Sequence, residues 1–132
     1  MHITLEADYA VRIVDRLASQ EGRLDAKSIA ADTGVTPRFT LKILRKLAAS
    51  GLVRSYQGAK GGYELARPAG EITLREVIET VEGVYALSRC VSPEHICRCD
   101  AQHCRRCDCR FQRVYDEISE MVRQKLSKVT FG

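Results

Sequence analysis

The stretch DTGVTPRFTLKILRKLAASGLVRSYQGAKGGYELA, residues 32–66, reads as a short turn, an amphipathic helix and a tight hairpin in immediate succession. Thr36 offers an N-cap hydroxyl, and Pro37 takes the first helical position, where its missing N–H costs nothing. Gly51 supplies the stop. Phe39, Ile43, Leu44 and Leu47 make the expected apolar face. Arg38, Lys42 and Arg45 recur at i, i+4 and i+7 with Lys46 beside them, so a basic stripe opposes that face. Leu52 to Tyr56 and Tyr63 to Ala66 then read as strands around the turn Gly58-Ala59-Lys60-Gly61-Gly62. The glycines do not make a phosphate-binding P-loop: Lys60 is followed by Gly61 rather than Ser or Thr, and the spacing from the first glycine is wrong.

Upstream, Thr4 caps a predicted helix whose Ala10, Ile13, Val14, Leu17 and Ala18 share one face, ending near Gly22. Asp25 caps a short helix through Ile29 and Ala30 that breaks at Thr33-Gly34. Two helices across a Gly-containing turn, followed by a hairpin, predict a winged helix-turn-helix. Downstream, Pro68 to Gly70 reads as a turn, and Thr73 caps a helix bearing Leu74, Val77, Ile78 and Val81 up to Gly83. From Phe111, the series Val114, Tyr115, Ile118, Met121, Val122 and Val129 predicts a long helix with one narrow apolar seam. The preceding residues offer little to cover its length, so the seam is expected to pair with a second copy of the chain.

The expected architecture is mainly α with a small β-hairpin wing. It comprises a winged helix-turn-helix head over residues 1–83, a cysteine-rich sensor loop over 84–110 and a long C-terminal dimerisation helix over 111–132. At 132 residues, 45% hydrophobic and 29% charged, the composition is globular. No apolar run suits a membrane span and the N-terminus lacks a signal-peptide pattern, so a cytoplasmic location is expected.

Charge is unevenly spread. Thr33 to Tyr63 holds Arg38, Lys42, Arg45, Lys46, Arg54 and Lys60 with no acid, so this segment is +6 in a chain of +4 and the rest is −2. Such a block is the electrostatic footprint expected of double-stranded DNA as partner. The expected contact set is Thr36, Arg38, Lys42, Arg45, Lys46 and Arg54, with Gln57 and Lys60 on the wing.

All six cysteines, Cys90, Cys97, Cys99, Cys104, Cys107 and Cys109, fall within one 20-residue stretch. In a reducing compartment this density points to a metal site or a thiol switch. Thiolates suit both iron-sulfur clusters and zinc, and Cys97-x-Cys99 with Cys104-x-x-Cys107-x-Cys109 is a credible zinc knot. His95 and His103 can each complete a site. Arg89, Arg98, Arg105, Arg106 and Arg110 favour the thiolate state, or simply keep the segment solvated. Cys104-x-x-Cys107 lacks the βαβ context of a dithiol oxidoreductase, and no Ser, His and Asp order suggests a nucleophile. An enzyme is not expected; a zinc-stabilised interaction module is the other class compatible with these residues.

Several motifs together carry a family resemblance. They are Asp8-Tyr9-Ala10-Val11-Arg12, Leu47-Ala48-Ala49-Ser50-Gly51-Leu52-Val53, the wing from Gly58 to Pro68, and Ile72-Thr73-Leu74-Arg75-Glu76-Val77-Ile78 ending in Val81-Glu82-Gly83. With these the chain resembles the Rrf-type, IscR/NsrR-like family of winged-helix transcriptional regulators. The resemblance implies a cytoplasmic homodimer, expected to act as a repressor. Its cysteines would hold an iron-sulfur cluster, 2Fe-2S in first place and 4Fe-4S in second, sensing iron-sulfur, nitric oxide or redox status. Cys90, Cys104 and Cys109 best match the family's ligand positions, with Cys99 the other candidate for the middle ligand; Cys97, Cys99 and Cys107 are further candidate ligands, and those left unused are spare ligands, redox partners or a second metal site. Asp8 matches the position at which some members supply a fourth ligand from the partner, although pairing with Arg12 at i+4 is the simpler reading of that residue. The chain departs from the family in having six cysteines over a longer stretch. It also carries Gln57 at a wing position often filled by Arg, leaving Lys60 as the wing cation.

Overall fold

The computed structural model of the chain describes residues 3–88, 91–92 and 110–132. Helices α1 (Leu5–Ala18), α2 (Ala26–Thr33) and α3 (Pro37–Ala49) precede strands β1 (Val53–Tyr56) and β2 (Gly62–Leu65), and α4 (Leu74–Glu82) and α5 (Arg110–Ser127) follow. Each of the first four helices starts where a side chain satisfies an orphan N–H. Thr4, Asp25, Thr36 and Thr73 accept from the amides of Ala7, Ser28, Phe39 and Glu76, and Glu76 returns a bond to Thr73 as a full capping box. The strands pair antiparallel with Val53 opposite Leu65 and Tyr56 opposite Gly62.

The core is one cluster in which Ile13, Val14 and Leu17 of α1 meet Ile29 of α2 and Ile43, Leu44 and Leu47 of α3. Leu52 and Val53, at the entry to the hairpin, and Ile72 and Val77, just before and within α4, close it. Two further ties fix the helices. Thr4 and Glu82 hydrogen-bond across the α1 and α4 ends, and Arg16 Nε donates to Asp32 at 2.8 Å, joining α1 to α2.

On α3 the expected core set is corrected. Thr40 is fully buried whereas Phe39 is 42% exposed. The inward arc is Thr40, Ile43, Leu44 and Leu47, which at 100° per residue is one tight stripe, and Phe39 falls outside it. Thr40 Oγ1 has no hydrogen-bond partner among the described residues.

At the C-terminus, α5 ends at Ser127, so Val129 is not part of a helical seam. Its carbonyl instead accepts from Leu74 N–H at 2.8 Å, and Thr130 bridges Thr73. Phe131 packs against the core. Mid-helix, the buried Ser119 hydroxyl accepts from Leu87 N–H at 2.8 Å, and Arg123 Nη1 donates to Tyr85 O at 2.6 Å. One side of α5 is therefore docked on its own chain. Phe111, Val114, Tyr115, Ile118 and Met121 remain exposed, Met121 by 70%.

Candidate nucleic-acid interface

Helix α3 is held by its buried stripe and so presents the opposite arc to solvent. Arg38, Lys42 and Arg45 lie on that arc. Among the described residues no acid comes within ion-pair distance of Arg38, Arg45, Arg54 or Lys60, although the fold does bring an acid to the stripe. Glu6 of α1 accepts from Lys46 Nζ at 2.6 Å and lies 3.7 Å from Lys42 Nζ. The Lys46 hydrogen bond holds the Glu6 carboxyl below the usual carboxylate range, against partial burial that pushes the other way. Of the expected contact set, Lys46 is thus committed to α1. Thr36 is engaged as a cap, and its exposed position stands at the N-terminus of α3.

The wing is more firmly built than its glycines suggested. Leu24, in the α1–α2 connection, exchanges both backbone hydrogen bonds with Tyr63, at 3.0 and 2.8 Å, adding a bridge beside β2. This approach explains Gly62, where an added Cβ would stand 2.8 Å from the Leu24 carbonyl oxygen and φ is +144°. At Gly61 a Cβ would meet Tyr56 O at 2.6 Å. Arg23 stacks on Tyr56 and donates to Lys60 O, while Tyr56 Oη donates to Glu64 Oε1 at 2.5 Å. Gln57, Lys60 and Arg54 are exposed along this hairpin. No local spacing points to Arg23 or Glu6, because each acts across the fold.

The cysteines Cys90, Cys97, Cys99, Cys104, Cys107 and Cys109, with His95 and His103, lie outside the described residues. Asp8 is half-buried on α1 and pairs with Arg12 at 2.9 Å. Among the described residues no helix is long and apolar enough to cross a membrane.

A family model described as Rrf2, iron-dependent transcriptional regulator, matches residues 3–132. The chain belongs to the Rrf2 family. Within that family it is similar to the HTH-type transcriptional regulator IscR of Xenorhabdus nematophila, 34% identical over 96 residues, which are 71% of this chain and 58% of the relative. CymR, the global cysteine regulator of B. subtilis, superposes with a TM-score of 0.75 at 25% identity, covering 99% of this Rrf2 chain and 93% of that one. IscR of T. potens gives 0.76 at 23% identity over 99% and 83% of the two chains, a likeness of fold. The chain spans 56 to 59% of the length of the first curated relatives it matches. The Rrf2 fold accounts for the helix order, the hairpin and the docked terminal helix, and Rrf2 relatives are regulators rather than enzymes.

Proposed function

We propose that this Rrf2 protein is a cytoplasmic, homodimeric regulator of transcription. It would bind double-stranded DNA through α3 and the wing and act most simply as a repressor. The observation that carries this reading is the basic arc of α3, where Arg38 and Arg45 stand exposed without an acidic partner among the described residues while the opposite face is locked into the core. Cations without intramolecular partners can displace the counterions of a phosphate backbone. The DNA-facing set is Thr36, Arg38, Lys42, Arg45 and Arg54, with Gln57 and Lys60 on the wing. Lys46 contributes least, because Glu6 already neutralises it.

The second copy is assigned to the exposed side of α5. Phe111, Val114, Tyr115, Ile118 and Met121 form an apolar strip on a helix whose other side is already docked, and a two-fold partner with the same strip would cover it. Such a dimer sets two α3 helices in successive major grooves, about 34 Å apart on a near-palindromic site.

We further assign the cysteine segment to an iron-sulfur cluster, held by Cys90, Cys104 and Cys109, in keeping with the iron dependence named in the family description. The donor set fits: soft thiolates, in excess of the four ligands a site needs, with arginines beside them. Bound there, a cluster supplies chemistry that responds to redox state, nitric oxide and iron supply. Asp8 pairs with Arg12 through Oδ2, which leaves its other carboxylate oxygen for a fourth-ligand role toward the partner. The decisive experiment is absorbance and metal content of anaerobically purified protein, followed by operator binding before and after metal removal. A visible iron-dependent chromophore coupled to a change in affinity supports the sensor. Four-thiolate zinc in iron-replete protein, or a colourless protein with a reversible thiol effect, replaces the cluster and leaves DNA binding intact.

A further inference from the structure

An exposed apolar side chain stands on each flank of the basic arc on α3. Phe39 is 42% and Leu41 37% exposed, and at 100° per residue they stand on opposite sides of the Arg38, Lys42 and Arg45 stripe. Folding alone would have chosen otherwise. Position 40, fully buried, holds a threonine with an unpartnered hydroxyl, while the adjacent exposed position holds phenylalanine. Phe39 is also oriented. The Tyr9 ring meets it edge-on at 6.0 Å and 66°, and Lys42 Nζ lies 5.8 Å from its centroid. Arg38, Phe39 and Lys42 together line an open cleft of about 440 Å³.

An apolar side chain held by Tyr9 and Lys42 at the edge of a basic arc calls for a ligand that is anionic at its edges and carries a small apolar group between them. The major groove of DNA is such a ligand: it admits an α-helix between two phosphate backbones, and the group of this kind that its base edges present is the thymine C5-methyl. A second copy of this chain is the poorer occupant, because it would bring Arg38 and Arg45, which have no acidic partner among the described residues, against the same cations.

We infer that Phe39 and Leu41 are specificity-determining residues that read thymine methyl groups in the major groove of the operator. This deepens the DNA-binding reading above and rests on it. The cations position α3 on the backbone, and the two flanking apolar residues select thymine over cytosine at the positions they face.

The test starts by selecting preferred duplexes from a random pool with the full chain. Each selected thymine is then replaced by deoxyuridine, which removes only the methyl group. Wild-type protein should bind about threefold to fivefold more weakly for each contacted methyl lost per half-site. Phe39→Ala and Leu41→Ala, both at exposed positions, should keep the helical circular-dichroism spectrum and the salt dependence of binding. Each should lose the response to deoxyuridine at its own position. A selected site at which deoxyuridine and thymine bind equally everywhere overturns the inference while leaving DNA binding standing, as do variants that retain the full response. A shift in the sedimentation of free Phe39→Ala protein would reassign the patch to a protein interface. A selection that returns no preferred sequence removes the DNA-reading function and this inference together.

Discussion

The guanidinium carbon of Arg23 lies 3.4 Å from the centre of the Tyr56 ring, and Nη1 of the same group donates to the Lys60 carbonyl at 3.2 Å. The loop after α1 thus grips the wing twice, through this stack and through the Leu24–Tyr63 backbone pair. Arg23→Ala should loosen the wing at a stability cost of about 0.5–1 kcal/mol and weaken DNA binding. Arg23→Lys should recover little, because an ammonium cannot stack as a planar fork does. Amide hydrogen exchange over 56–63 checks this: faster exchange in both variants is the expected outcome, and unchanged protection would place the grip in the backbone pair alone.

Glu6 links stability, pH and charge. Its carboxyl is held low by the Lys46 hydrogen bond, so the pair stabilises the fold above the unfolded glutamate value of about 4.3. That contribution is lost as pH falls through the lowered folded value. Glu6→Gln should therefore be less stable than wild type at pH 7, by about 0.2–1 kcal/mol for a partly exposed pair, with the gap closing under acid. It should also free Lys46 and Lys42 and tighten DNA binding, with a steeper salt dependence. Thermal melts from pH 7 to pH 3, beside anisotropy titrations, read both effects.

Most of the head was legible in the sequence because its signals are local. The caps Thr4, Asp25, Thr36 and Thr73 each sit beside the amide they satisfy, and the glycines at 58, 61 and 62 mark a turn that tolerates few other residues. That Phe39 is expected in the core and Thr40 is found there instead has a physical cause. Hydropathy ranks phenylalanine inward and threonine outward, and a one-residue shift of phase on a helix moves the face by 100°. Long-range ties such as Glu6 to Lys46, 40 residues apart, leave no periodicity to find. On α5 the periodicity finds the exposed Phe111, Val114, Tyr115, Ile118 and Met121, but Val122 is only half-exposed and Val129 accepts from Leu74 beyond the helix end.

Thr40 offers a stabilising substitution. Its hydroxyl is buried without a partner among the described residues, so Thr40→Val, similar in shape, removes a desolvated polar group at no packing loss. A gain of about 1 kcal/mol is expected, read as a rise of roughly 3–5 °C in Tm with DNA affinity unchanged. A loss of stability would show that the hydroxyl finds a partner elsewhere.

The α5 strip separates folding from assembly. Ile118 is 38% exposed, so Ile118→Asp should leave the monomer folded but place an unpaired charge in a dimer interface, costing several kcal/mol there. Val122 is only partly exposed and its Asp variant should also lower Tm. Sedimentation velocity should find Ile118→Asp monomeric with a normal helical spectrum; a folded dimer would mean that another surface pairs.

Whether α3 and the wing hold DNA is read from the salt dependence of binding. Wild type, Arg38→Ala, Lys42→Ala, Lys46→Ala and Lys60→Ala are titrated on one selected duplex across a range of salt concentrations. Arg38→Ala, Lys42→Ala and Lys60→Ala should each reduce the slope of log affinity against log salt by about one per lost phosphate contact in each subunit. Lys46→Ala should change it least, since Glu6 already holds that ammonium. Equal slopes and equal affinities for all five proteins would contradict the assignment of α3 and the wing to DNA.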